Sequence, residues 1–133
     1  IVNGKTAAVD FNSNYPAQQL KDGASLLQDN ILFGVGATFG LKDVTAFADL
    51  AALATFATSK GNTTVADLYA AGLTSTNLES PVLTLTANSV ANGKAKYTGD
   101  LATGFTQESF AGAMGTTDWT SGWASWTAKT NQY

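Results

Sequence analysis

Between Ile31 and Phe39 the residues alternate in size from one position to the next. Ile31, Phe33, Val35, Ala37 and Phe39 fall on one face of an extended strand, and Leu32, Gly34, Gly36 and Thr38 on the other. The first face is bulky, whereas the second is bare at Gly34 and Gly36. A strand with a bare face can take another backbone or layer lying close over it. The segment therefore predicts a β-rich chain in which this strand is overlaid.

The flanking sequence changes period. Residues 1–23 are polar and turn-rich, and Asn12-Ser13-Asn14-Tyr15-Pro16 predicts an extended or turn conformation before the proline. Ile1 to Gly4 reads as a first strand or an extended arm. From Asp43, a plausible N-cap, Phe47, Leu50, Ala51, Leu53, Ala54 and Ala57 lead to Gly61 as a C′ stop, which predicts a largely buried helix. Thr64 with Asp67 resembles a weak capping box, and Val65, Leu68 and Tyr69 before Gly72 predict a second short helix. Val82 to Ala87 alternates as a strand, and Asn92-Gly93 is a strong turn signal. No repeat of fixed period and no low-complexity linker is legible. The expected fold is mainly β with a short helical insert (α+β), a single domain over 1–133 that is β-solenoid-like or small β-sandwich-like. Its parts are a β region 1–42, an αα insert 43–72, and a β and loop region with a Trp-rich tail, 73–133.

Composition narrows the chemistry. The 133 residues contain no Cys and no His. Thiolate or imidazole zinc sites, disulfides and imidazole-dependent nucleophilic catalysis are thereby excluded. All seven basic residues are Lys, against ten acidic ones, for a net charge of −3. Phosphate binding relies on clustered Lys and Arg, so no nucleic-acid partner is expected. No window reaches the roughly 18 apolar residues of a membrane span, so no membrane insertion is expected. The first residues also lack a basic stretch followed by an apolar run, so an exported form is expected to be mature or trimmed. Charged residues are only 13% of the chain, and much of the rest is Ala, Thr, Gly, Asn and Ser. Such a surface has little charge to repel a neighbouring copy.

Three constellations could carry chemistry. Gly34-Val35-Gly36-Ala37-Thr38-Phe39-Gly40 lies between a strand and a helix as a dinucleotide-binding turn would, but its spacing is one residue too long and the expected helix starts too late to meet a pyrophosphate. No cofactor is therefore expected. The carboxylates Asp100, Glu108 and Asp118, with Asp22, Asp29 and Asp43, sit mostly beside Gly, Thr or Asn, where they cap backbone N–H groups. A glycosidase would need two of them, such as Asp118 and Glu108, to face one cleft. No Asp-x-Asp-x-Asp loop is present, and no metal is expected. The third is Asp118-Trp119-Thr120-Ser121-Gly122-Trp123-Ala124-Ser125-Trp126. Burial preference has these rings closing the end of the core, whereas exposed rings would offer rigid apolar faces to sugars or partner surfaces.

Ile1-Val2-Asn3-Gly4 resembles the start of an activated trypsin-like protease, yet that family needs the His base this chain lacks. A broader resemblance runs over about residues 68–133. Phe105-Thr106-Gln107-Glu108-Ser109-Phe110-Ala111-Gly112-Ala113-Met114-Gly115-Thr116-Thr117-Asp118-Trp119-Thr120-Ser121-Gly122-Trp123 resembles the closing motif of large secreted surface proteins of Bacteroidota that carry a parallel β-helix. Its most specific part is Gly-Ala-x-Gly followed by Trp-Thr-x-Gly-Trp. Ala71-Gly72-Leu73-Thr74 and Leu78-Glu79-Ser80-Pro81 are similar to the passage leading into it. Met114 stands where Phe is usual, and residues 82–90 form an alternating strand where that family is Pro-rich. The resemblance implies an extracellular or cell-surface location, an elongated β-rich architecture and no catalytic residues to transfer.

Together these features predict a non-enzymatic structural subunit of an extracellular filament or surface assembly, with itself as partner. Open β edges and the Trp-rich tail would make the contacts between copies. The alternative is a carbohydrate-binding or adhesive module using the Trp cluster. The candidate contacts to subunits or glycans are Trp119, Trp123, Trp126, Gly34, Gly36 and Tyr133.

Overall fold

A computed structural model describes residues 2–4, 6–34, 36–77 and 80–125. The architecture is mixed α+β, with two α-helices and seven short strands among the described residues. The chain divides into two compact units, 1–67 and 68–133.

In the first unit, β1 (Val2–Gly4) and β2 (Ala7–Phe11) lead to α1 (Asn14–Lys21), then β3 (Ile31–Gly34) and β4 (Ala37–Leu41) lead to α2 (Leu50–Ser59), and β5 (Thr63–Thr64) follows. The pairings are parallel and keep nearly the same step. Val2 faces Leu32 and Gly4 faces Gly34, while Ala7 faces Ala37 and Phe11 faces Leu41, each 30 positions apart. Ile31 then faces Thr63, 32 positions on. One sheet thus has the order β1-β3-β5 and a second is β2-β4. Each pass of strand, corner, strand and helix returns the chain to the place it left.

In line with the expectation, the sequence carries no repeat of fixed period behind these pairings. Few of the paired positions keep their residue. Gly4/Gly34 and Ala7/Ala37 do, but Asn3 pairs with Phe33 and Asp10 with Gly40. The connections also differ, since α1 follows β2 almost at once whereas a loop of eight residues separates β4 from α2. Parallel pairing needs backbone register and an apolar inner face, and neither requires sequence identity.

The single strand expected through Phe39 is broken into β3 and β4, which belong to different sheets. Gly34 makes the break possible. A Cβ there would overlap the carbonyl of Ala37 and come within 3.0 Å of the Ala8 backbone nitrogen. A close backbone approach at this glycine is present, but it forms a corner. Gly36, by contrast, is exposed.

Helix α1 falls in the segment expected to be extended or turned. Pro16 stands in its first turn, where a missing N–H leaves no intrahelical bond unmade. Ala17 and Leu20 face the core. Asn14 Oδ1 accepts from the backbone N–H groups of Thr45 (2.8 Å) and Ala46 (2.7 Å), so the start of α1 holds the loop before α2.

Helix α2 begins later than expected. Its N-cap is Asp49, whose carboxylate accepts from the Ala52 N–H at 2.8 Å, whereas Asp43 adopts φ +55° in a loop. The stop at Gly61 agrees with expectation. Gly61 has φ +80°, its N–H donates to Thr58 O, and the Asn62 N–H donates to Ala57 O, the bonding pattern of a Schellman motif. The expected second helix is absent, because Thr63 and Thr64 form β5 against β3 and turns follow. The αα insert over 43–72 is therefore one helix, a strand and turns. Leu20, Leu32, Phe39, Phe47 and Leu53 form the buried centre of this unit, with Phe56 edge-on to Phe47 at 5.3 Å.

In the second unit, β6 (Leu73–Ser75) pairs antiparallel with β7 (Val82–Leu85), matching the strand expected from Val82. Gly72 (φ +82°) lets the chain pass close to Ser89, whose Oγ donates to Ala71 O at 2.7 Å. The turn expected at Asn92-Gly93 is present, with Gly93 at φ +71° and the Asn92 amide donating to the carbonyls of Thr86 and Ala87. Beyond it the described chain has one 3₁₀ turn, Gly99–Ala102, and is otherwise loops and hydrogen-bonded turns.

Candidate functional site

The second unit holds the aromatic segment in a series of tight turns. Asp118 sets the first turn, because its Oδ1 accepts from the Thr120 N–H at 2.8 Å and from the Thr120 hydroxyl at 2.6 Å. These bonds favour the carboxylate and hold its pKa below the usual carboxylate value. Ser121 N–H donates to Asp118 O, and the N–H groups of Trp123 and Ala124 both donate to Thr120 O. Thr120 is buried, and the backbone winding about it turns Trp119 and Trp123 outward.

Trp119 is 54% exposed and Trp123 69% exposed, so these rings do not close the core as burial preference had them doing. Their orientation is nevertheless fixed. Trp119 Nε1 donates to Ala113 O at 2.8 Å, and Trp123 Nε1 donates to Trp119 O at 2.9 Å. The ring centroids lie 5.5 Å apart, with the planes inclined by 31°. Beside Trp119 runs an open groove of about 330 Å³, lined by Glu108, Phe110, Ala113, Met114, Gly115, Thr116 and Thr117 as well. Gly115 lies directly against the Phe110 ring, which a Cβ would strike at 2.5 Å, so the floor of the groove depends on that glycine.

No protein family, curated protein or solved structure matches the chain.

Among the other expected residues, Gly34 serves the β3–β4 corner and Gly36 is exposed. Both belong to the first unit, apart from the Trp segment in sequence. Trp126 and Tyr133 lie outside the described residues. The carboxylates do not gather. Among the described residues no group of three or more acidic side chains is placed to hold a metal ion. Asp22 accepts from the Gln18 amide at 2.8 Å, the carboxylate of Asp29 lies against Gly61, and Asp100 is in the 3₁₀ turn. Asp118, committed to Thr120 and held ionised, is the reverse of the raised-pKa carboxyl that a general acid requires. Glu108 alone of the six borders the groove.

Two features escape sequence reasoning. Thr116 and Thr117 border the groove, and nothing in their sequence neighbourhood marks them. The other is the pair Asn30 and Asn62, each immediately before a strand of the same sheet. Their shared position was a legible signal, but only once β3 and β5 were recognised as equivalent.

Proposed function

We propose that the chain is a non-enzymatic structural subunit of an extracellular filament or cell-surface assembly, built from a β-solenoid-like stack of parallel passes. The observation that carries this reading is the step of 30 and then 32 residues between paired parallel strands. Stacked passes of this kind bury their inner faces against the next pass, and β-sandwiches are by contrast antiparallel. The sheet order leaves β1 and β5 as outer strands. Because the strands are parallel, β5 of one copy can continue onto β1 of another, a head-to-tail contact that does not close on itself and so grows a filament. The low charge of the surface and the resemblance of the closing segment to secreted surface proteins support assembly outside the cell. Electron microscopy and sedimentation of the purified chain at neutral pH test the reading. Filaments or a concentration-dependent series of oligomers are expected, and a monodisperse monomer at high concentration overturns it.

A further inference from the structure

We infer that the groove beside Trp119 binds a pyranose ring of a polysaccharide, with the Trp119 ring as its stacking face and Trp123 packed against that ring. Both indole N–H groups are already spent on backbone carbonyls, of Ala113 for Trp119 and of Trp119 itself for Trp123. What Trp119 has left for a ligand at the groove is apolar ring surface. That ring is held in place before any ligand arrives, by its bond to Ala113 O and by Trp123 packed against it with the centroids 5.5 Å apart, so little side-chain freedom remains to be lost on binding.

A pyranose presents the matching surface, with C–H groups on one face and hydroxyls around the rim. The apolar face stacks on an aromatic ring, and the rim needs acceptors and donors of modest polarity beside it. Thr116, Thr117 and Glu108, whose side chains carry such groups, line the groove together with Phe110 and Met114. Its volume of about 330 Å³ lies at the small end of ligand sites, enough for a single sugar ring. Its one charged lining residue is an anion, which selects neutral or amino sugars and disfavours phosphates and uronates. The inference is independent of the filament reading, which rests on strands of the first unit, so either can fail alone.

The test is titration of the full chain with cellohexaose, xylohexaose, mannohexaose and chitohexaose, following tryptophan fluorescence and its protection from acrylamide quenching. At least one sugar is expected to give a saturable change with protection. Trp119→Ala and Trp123→Ala are each expected to weaken that binding about tenfold or more, with Trp119→Phe retaining most of it. The inference is overturned if none of the four sugars protects the native chain up to about 10 mM. It is equally overturned if both alanine variants bind as the parent does, or if the only effect of these variants is to abolish self-association. Quenching protection is measured on the unaltered chain, so the test survives a variant that fails to fold.

Discussion

The side-chain amide of Asn30 donates to Oδ1 of Asn62 at 3.0 Å, and the backbone N–H of Asn30 donates to the same oxygen, also at 3.0 Å. The Asn62 amide in turn donates to Leu27 O and Ala57 O, both at 2.8 Å. Asn62 is only 5% exposed; it and Ala57 lie where α2 gives way to β5, while Leu27 and Asn30 lie in the segment leading into β3. One side chain therefore joins the end of a helix to the entry of the neighbouring strand.

Asn62→Ala removes four hydrogen bonds and leaves the Leu27 carbonyl without that donor in a part-buried site. A loss of about 2–4 kcal/mol is expected, since each neutral bond contributes about 1 kcal/mol net and a stranded buried group costs more. Chemical denaturation measures it. An effect below about 0.5 kcal/mol would mean that water replaces the amide without penalty.

The corner at Gly34 is expected to tolerate no side chain. Gly34→Ala places a methyl group into the Ala37 carbonyl and should cost about 3 kcal/mol or more, because backbone on both sides must move. Gly23→Ala is the control. Gly23 has φ +80° but open space around its Cβ position, so only the left-handed conformation is penalised, at about 1 kcal/mol. Equal losses in the two variants would count against the corner.

Thr64→Pro separates assembly from folding. The N–H groups of Thr63 and Val65 donate to Asn30 O and Leu32 O of the β3 strand and its entry, so the N–H of Thr64 between them points away from β3. Proline removes that outward donor and keeps the inner bonds. On the proposed β5-to-β1 contact, any self-association of the native chain should fall at least several-fold by light scattering while the melting temperature shifts little. Unchanged growth would remove the β5 edge from the contact.

Acid should loosen the aromatic segment. The bonds from Thr120 depress the Asp118 pKa, so their contribution is fully present above the unfolded carboxylate value of about 3.9 and is lost as pH falls through the lower folded value. Tryptophan emission is expected to stay constant from neutral pH down to about pH 4 and to change below it. Asp118→Asn should remove that acid step, and a step that persists in the variant must come from another group.

The sequence alone established what this chain cannot be and where several of its local features lie. The absence of Cys and His, the strand from Val82, the turn at Asn92-Gly93 and the stop at Gly61 are composition or short-range conformation, which a few adjacent residues decide. The helix at Asn14–Lys21, the late start of α2 at Asp49 and the capture of Thr63 and Thr64 by β3 were decided by tertiary structure. Each depends on a partner tens of residues away. Asn14 answers to Thr45 and Ala46, and Asn62 to Asn30. The alternation from Ile31 to Phe39 was read correctly as β, but it holds no mark of the corner at Gly34. A period of two describes an extended backbone, and only the backbones of Ala8 and Ala37, close against that glycine, turn one strand into two. The Trp segment divides the same way. Its residue types were visible at once, but its exposure follows from Thr120 being buried and Asp118 holding the turn around it.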